Sequence, residues 1–550
     1  MRKKHFLFAS VLALLCGSSA LHAQDFKLTS SGYFKNQGVD IMAFDDIYPE
    51  GHQGGVCIIM NGHRVATNGD IRLEATPGQW QPVPKQLDRK LGDNSITATL
   101  CYPDSSRHLT GFNPMIYPDL HLIYTVNVES KGKNIEVTVD LDRPIPQEFI
   151  GKVGFNLEFF PGSLFGKPWI MDGQSGIFPQ QPNSPLMTTQ PNYLHTGNYH
   201  DGKQSLADMD KLIGKGYSPI VADDIISEPY AKGRKFTSRP DDPYNKVTIE
   251  SLSGDLQLFD GRMNHNNGWF VLRSNIKPGV TKGAVKWIIT PNVVADWMYQ
   301  PVIQTSQIGY HPAQDKEAVI EMDIRDNRKE TAQIIRIDAD GEKVVKNVTP
   351  ANWGKFLRYN YLKVDFTDVK EPGLYKIKYD TSVSPIFRID NDVYARGVWQ
   401  PVLEYFLPVQ MCHMRVNEKY RVWHDCCHMD DAQMAPAHNH IDGYDQKEGL
   451  SKFKPGEVVP GVNIGGWHDA GDFDLRIESQ AGESYILALA YEAFHPNLDV
   501  TSIDQINRVT EIHQPDGKND LLQQVENGAL TVVNGYLALG RLYRGIICND

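Results

Sequence analysis

Three things are scarce in this 550-residue sequence: long apolar runs, net positive charge and cysteine. The longest apolar run, Phe6 to Leu15, falls well short of the ~20 residues that a bilayer-spanning helix needs. Lys and Arg number 55 against 67 Asp and Glu, a formal net charge of −12. Such a surface gives nucleic acid no electrostatic footprint and repels anionic lipid, so a neutral ligand suits it better. Seven cysteines in so long a chain exclude a small disulfide scaffold. Apolar residues at 41% and charged residues at 22% are those of ordinary globular domains, and the length calls for about three of them.

The N-terminus is informative. Arg2, Lys3 and Lys4, the apolar run behind them and the small residues up to Ala23 have the three-part layout of a secretory signal. Cleavage after Ala23 is expected, giving an exported protein of the periplasm, the cell surface or the medium. The alternative makes Cys16 a lipid-modified N-terminus, although Leu15 before it is larger than that processing usually accepts. In an oxidising compartment Cys57 and Cys101, both in strand-like stretches, could pair.

From residue 24 to 300 the pattern is all-β. Leu122, Tyr124, Val126 and Val128 alternate with polar residues, as do Ile135, Val137, Val139 and Leu141 after a turn at Gly132. Period-two alternation of this kind means half-buried strands, and a β-sandwich follows. Pro, Gly, Asn and Gln crowd residues 160–205, which read as long surface loops. No motif with chemistry stands out in this module. Residues 301–392 carry more short strands and turns, suiting a second, immunoglobulin-like sandwich. After Asn391 the period becomes helical, and residues 393–550 are expected to be α-rich with long loops. Ile477, Ala481, Tyr485, Ala488 and Tyr491 share one helix face, ended by Pro496. Leu522, Val525, Ala529, Val532, Tyr536, Leu539 and Tyr543 share another, after the turn Gln514-Pro-Asp-Gly517.

The chemistry concentrates in Gly465-Gly-Trp-His-Asp-Ala-Gly-Asp-Phe-Asp474. Asp469 and Asp472 stand three positions apart in a loop that Gly465, Gly466 and Gly471 make flexible. Two carboxylates converging on one volume can hold a water and take its proton. Read as an isolated pair, one Asp would cap the following helix and the other would be solvated.

The whole string resembles the signature loop of glycoside hydrolase family 9, whose pattern is Gly-Gly-Trp-x-Asp-Ala-Gly-Asp. The opening Gln304-Thr-Ser-Gln-Ile-Gly-Tyr-His-Pro312 and the closing Val364-Asp-Phe-Thr-Asp-Val-Lys-Glu-Pro-Gly-Leu-Tyr375 are similar to the immunoglobulin-like domain that precedes the catalytic domain in many of these enzymes. Asp516-Gly-Lys-Asn-Asp-Leu-Leu522 also resembles a family turn and helix. The resemblance covers about residues 301–550. It implies an immunoglobulin-like domain at 301–392 and the first part of an (α/α)6 catalytic barrel at 393–550, behind the signal peptide at 1–23 and a β-sandwich module of unassigned role at 24–300 that the residues themselves suggest. It further implies inverting hydrolysis of β-1,4-glucosidic bonds in cellulose or a related β-glucan, with Asp472 as general base and Asp469 orienting the same water.

Cys412, Cys426, Cys427, His428 and His468 are an unusual concentration of soft and borderline ligands, and a structural zinc needs four such groups in a closed tetrahedron. The resemblance implies Cys412, Cys427, His428 and His468 as the set, a structural device beside the acidic loop. A disulfide from Cys412 to Cys426 or Cys427, with ordinary surface histidines, is the competing reading. His413, His424, His438 and His440 are expected to be surface residues. Calcium is left open.

Inverting hydrolysis also needs an acid across the scissile bond, about 6.5–9.5 Å from the base. Asp469 and Asp472 share one loop and cannot fill that role. The resemblance puts the acid in a Glu beyond residue 550, so a fragment of a longer enzyme is expected, with apolar helix faces left uncovered. A glycan-binding protein without hydrolysis, and a zinc hydrolase using His468 and Asp469, are the alternatives.

Overall fold

The computed structural model describes residues 25–45, 54–78, 84–102, 120–183, 186–188, 225–263, 268–439, 445–470 and 473–547. The expected signal, with Cys16, lies outside them. Among the described residues no helix is long and apolar enough to cross a membrane. The chain forms two compact units that meet near residue 297 in sequence.

The first unit contains two nine-stranded antiparallel sheets. Ile123–Lys131 and Asn134–Leu141 form a hairpin in one of them, with Val126 opposite Val139 and Val128 opposite Val137. Their apolar residues are buried and their polar residues partly exposed, because a pleated strand sends alternate side chains to opposite faces. One continuous core joins the two sheets, with Phe155 edge-on to Trp287 at 4.9 Å. Part of the expected loop region is instead a hairpin, Pro168–Met171 with Gln174–Ile177. Pro168 starts its strand, where the missing N–H is tolerated. No disulfide joins Cys57 and Cys101.

This unit also buries charge that no motif announced. Arg273 lies 3.0 Å from Glu74, whose carboxylate accepts a hydrogen bond from Asn156 at 2.6 Å. Burial pushes the Glu74 carboxyl up to about 7. Strand alternation hides such a network, since its members come from strands far apart in sequence.

In the second unit, residues from 302 to 389 form a four-stranded and a five-stranded antiparallel sheet around their own core. The structure gives the quoted fragments of this segment a physical meaning. Tyr310, Phe366 and Tyr375 all meet Phe387, at centroid distances of 5.3, 5.6 and 6.2 Å. Tyr310 also ties the chain locally. Its N–H donates to the Arg388 carbonyl, and its hydroxyl donates to the Glu317 carbonyl and accepts from the Ser306 N–H. Gly309 has φ +105, and a Cβ there would collide with the Arg388 carbonyl.

Residues 393–547 hold helices α1 (Gln400–Tyr405), α2 (Ile477–Phe494) and α3 (Asp520–Leu539) among the described residues. A small sheet orders Arg421–His424, Arg415–Glu418, Val509–Ile512 and Thr501–Asp504. This is less helical than expected, and a six-hairpin barrel is not visible in it. Asn519 caps α3 by accepting from the Leu521 N–H, and Gly540 closes it at φ +72. His495 ends α2 in the left-handed region just before Pro496.

The helix faces differ from expectation. In α3 the buried residues are Asp520, Leu521, Gln523, Gln524, Asn527, Gly528, Thr531 and Gly535, whereas Leu522, Val533, Tyr536 and Leu537 are exposed. In α2, Ile477 and Gln480 are buried while Tyr485 and Ile486 face outward. The expected stripe of α3 is thus only partly packed: Leu539 and Tyr543 lie against a buried cluster, while Leu522 and Tyr536 face outward. The packed side serves hydrogen bonding and close approach: at Gly528 a Cβ would collide with Trp467 and Ser484.

Two glycines separate these effects. Gly309→Ala should lower stability by about 1–3 kcal/mol through forced displacement of the Arg388 strand, whereas Gly482→Ala, in open space on α2, should raise it by about 0.4–1 kcal/mol. Urea unfolding of both variants measures this, and equal midpoints would contradict it.

Candidate active site and metal cluster

The segment from Gly465 to Asp474 is held by α2 and α3 from one side and by residues 410–412 from the other. His468 N–H donates to the Gln410 carbonyl and Cys412 N–H to the Gly466 carbonyl, with Met411 bridging Trp467 between them. This short antiparallel contact sets Cys412 beside His468. Gln480 clamps Trp467 from α2, accepting from its N–H at 2.8 Å and donating to its carbonyl at 2.7 Å. From α3, Gln524 accepts from the indole N–H at 3.1 Å, and Asn527 donates to the Gly466 carbonyl at 3.1 Å. Trp467 is fully buried and therefore a core residue.

Gly465 and Gly466 do not make this part of the loop flexible, contrary to expectation. They sit at φ +73 and +93, and a Cβ at Gly465 would collide with the Asn527 carbonyl. Glycine is needed here for close approach and handedness.

The four expected metal ligands come together. Cys412 Sγ lies 3.6 Å from Cys427 Sγ and 3.1 Å from His428 Nδ1. His468 Nε2 lies 3.6 Å from Cys427 Sγ and 3.2 Å from His428 Nδ1. All four donor atoms fall within 4.8 Å of one another. Tetrahedral zinc with Zn–S near 2.3 Å and Zn–N near 2.05 Å needs edges of roughly 3.3–3.8 Å, so the donor set fits that ion in number, type and spacing. A disulfide would need the sulfurs at about 2.05 Å, and neither Cys426 nor Cys427 forms one with Cys412. Cys426 points elsewhere, its sulfur 3.9 Å from the Arg508 carbonyl.

The thiols are electrically unequal. Contact with the Cys412 S–H pushes Cys427 far down, with His424 and His468 adding to it. Burial and the neighbouring Cys427 push Cys412 far up. His413 corrects another expectation: it is fully buried, its Nδ1 sits 2.8 Å from the Gly465 carbonyl, and burial pushes it down to about 4. His424 is half-buried, its Nδ1 2.9 Å from the Asp425 carbonyl, and contact with Cys427 pushes it up. His440 lies outside the described residues.

Asp469 is half-buried. Ser479 donates to its Oδ1 at 3.0 Å, and Arg476 pairs with its Oδ2 at 3.2 Å while also donating to Asp474 at 2.8 Å. Asp472 lies outside the described residues, so convergence of the two carboxylates is not measured. Sequence reasoning missed Arg476, Ser479 and Glu483. Burial and then the charge of Asp469 push Glu483 up to about 7. Their spacing was a usable signal, since positions three and four apart share a helix face.

With this geometry in place, the relationships of the chain can be stated. Residues 298–384 match the cellulase N-terminal immunoglobulin-like domain. Among solved structures, a zinc-binding triple mutant of the family 9 endoglucanase J30 is similar at 23% identity, with TM-score 0.31. It covers 41% of this chain and 38% of its own. The parent J30 structure gives 22% identity, TM-score 0.30 and the same coverage. A family 9 protein of Bacteroides ovatus gives 20%, TM-score 0.34, and covers 44% of this chain and 41% of its own. The chain thus spans about two fifths of the length of these proteins. No curated protein matches it.

A pH measurement tests the Glu483 environment. A carboxyl whose ordinary value is 4.5 and whose folded value is about 7 holds its proton longer when folded. It stabilises fully below 4.5, and that contribution is lost as pH rises to about 7. Glu483→Gln should therefore flatten the decline in melting temperature between pH 4.5 and 7. Identical slopes in both proteins would refute the assignment.

Proposed function

We propose that this protein is an exported β-glucan hydrolase of the inverting family 9 type, whose acidic loop is braced by a structural zinc. The observation that carries the reading is the placement of Asp469. Its neighbour His468 belongs to the four-ligand cluster, and its own carboxylate is fixed by Ser479 and Arg476. A carboxylate held this firmly can orient a water without reorganising, which is where positioned groups gain their effect. Asp472 then takes the water's proton as it attacks the anomeric carbon, and the leaving oxygen is protonated by an acid on the opposite side of the sugar. That acid belongs to neither Asp469 nor Asp472.

Cys412, Cys427, His428 and His468 would hold the zinc. Bound there, the ion supplies cross-linking of distant segments, and its closed coordination leaves no position for a substrate, which disfavours the zinc-hydrolase alternative. The domain plan at 24–300, 301–392 and 393–550, with a partial (α/α)6 barrel last, belongs to the same proposal, as does export through residues 1–23.

A glycan-binding role without hydrolysis has one observation in its favour. The immunoglobulin-like domain exposes Trp353 at 58%, edge-on to Tyr361 at 5.6 Å, with Tyr359 6.0 Å further on. Exposed aromatic faces beside polar groups suit sugar rings.

Reducing-end release from soluble β-glucan separates these readings. In a longer chain that includes the acid, hydrolysis should be lost in Asp472→Ala and reduced by Asp469→Asn. Binding with no release from that longer chain would leave the glycan-binding reading. Elemental analysis should find one zinc per chain, lost in Cys412→Ser and His468→Ala and retained in Cys426→Ser. Retention in all three would dismiss the zinc.

A further inference from the structure

We propose that Phe473 is a positioning residue that couples metal occupancy of the cysteine–histidine cluster to the conformation of the loop carrying Asp469. This rests on the zinc reading above and goes beyond it, because it assigns the coupling to one side chain that ligates nothing.

Phe473 has φ +60, a left-handed backbone that a bulky residue enters only when its surroundings impose it. Burial of its ring does not supply that compulsion, since the side chain is 50% exposed. What the ring does have is the two metal-facing imidazoles. It meets His468 at 5.2 Å and 78°, and His428 at 6.2 Å and 54°. These two imidazoles in turn meet each other edge-on at 4.9 Å. The three rings form one packed group in which the two histidines are ligands and the phenyl is the member belonging to the far end of the loop.

The topology gives this contact its consequence. His468 immediately precedes Asp469, and Phe473 immediately follows the loop, so the ring contact joins the two ends of the acidic segment. Two backbone hydrogen bonds close the same loop: Asp469 N–H donates to the Asp474 carbonyl at 2.7 Å, and Phe473 N–H to the Ala470 carbonyl at 3.2 Å. An ion in the cluster fixes both imidazole planes and gives them positive character, which strengthens their attraction for an aromatic ring. With the rings fixed, the phenyl has a seat that offsets the left-handed backbone. With the ion removed, the imidazoles rotate, the seat is lost, and the loop hydrogen bonds open. Conversely, the phenyl shields the imidazoles and slows release of the ion, as groups around a ligand shell commonly do.

Hydrogen exchange at the Asp469 and Phe473 amides, in zinc-loaded and chelator-treated full-length protein, reads this coupling directly. In the unaltered chain zinc should slow both amides about tenfold or more. Phe473→Leu keeps the volume and the backbone cost but lacks the ring. Its exchange should be insensitive to zinc, and its zinc should pass to a chromophoric chelator about 10–100-fold faster. Phe473→Tyr should restore both behaviours. If the leucine variant does not fold, Phe473→Asn, which tolerates the left-handed region, takes its place. Zinc-linked protection in the ringless variant equal to that of the unaltered chain overturns the proposal. Zinc uptake by the unaltered chain without any linked protection also overturns it and leaves the metal reading standing, whereas no uptake at all removes both.

Discussion

The site depends on a set of buried side-chain amides. Gln480 and Asn527 bond the backbone at Gly466 and Trp467 on the side away from residues 410–412, and Gln524 holds the Trp467 indole. Buried backbone groups left unpaired are costly, so a loop can run through an interior only if something pairs with it. Here two helices do so largely with side chains, beside the main-chain contacts of residues 410–412 and of the Asn527 carbonyl. Everything downstream of Trp467, including His468 and Asp469, inherits its position from that arrangement.

Electrostatics is layered on this frame. The Cys412 S–H pushes the Cys427 thiol down, Asp469 pairs with Arg476, and Glu483 one helical turn beyond Ser479 is driven toward its neutral form. Negative charges placed this close would repel one another in a poorly solvated region. Asp469 is paired with Arg476, and ionisation of Glu483 beside it is discouraged.

Much of this was legible in the sequence, though unevenly. The alternation of Tyr124, Val126 and Val128 marked strands correctly because strand period is purely local. Tyr310, Phe366 and Tyr375 were legible only as fragments of a known pattern, and their common contact with Phe387 shows the packing that pattern encodes. The clustering of Cys412, Cys427, His428 and His468 was foreshadowed by residue type, since few side chains bind soft metals, while the choice of Cys427 over Cys426 rested on the family resemblance. Three things were less legible. Gly465 and Gly466 suggested flexibility, because a glycine needed for close approach looks the same in sequence as one needed for motion. Helix faces were only partly foreseen, because hydrophobic periodicity takes the apolar stripe to be the most buried one, and in α3 amide-bearing residues are buried more deeply. Arg476 and Glu483 were overlooked because charged residues on a helix are usually solvated.

The outward stripe of α3 and the outward residues of α2 have a practical consequence. Tyr485, Ile486, Phe494 and Leu537 are each more than three fifths exposed, on a chain whose net charge is only modestly negative for its size. Raising ionic strength screens the charge that keeps molecules apart while leaving oily contacts intact or stronger. Handling of the purified material will thus be governed by colloidal stickiness: low salt and dilute solutions favour dispersal, and salting-out conditions bring chains together through these helices first.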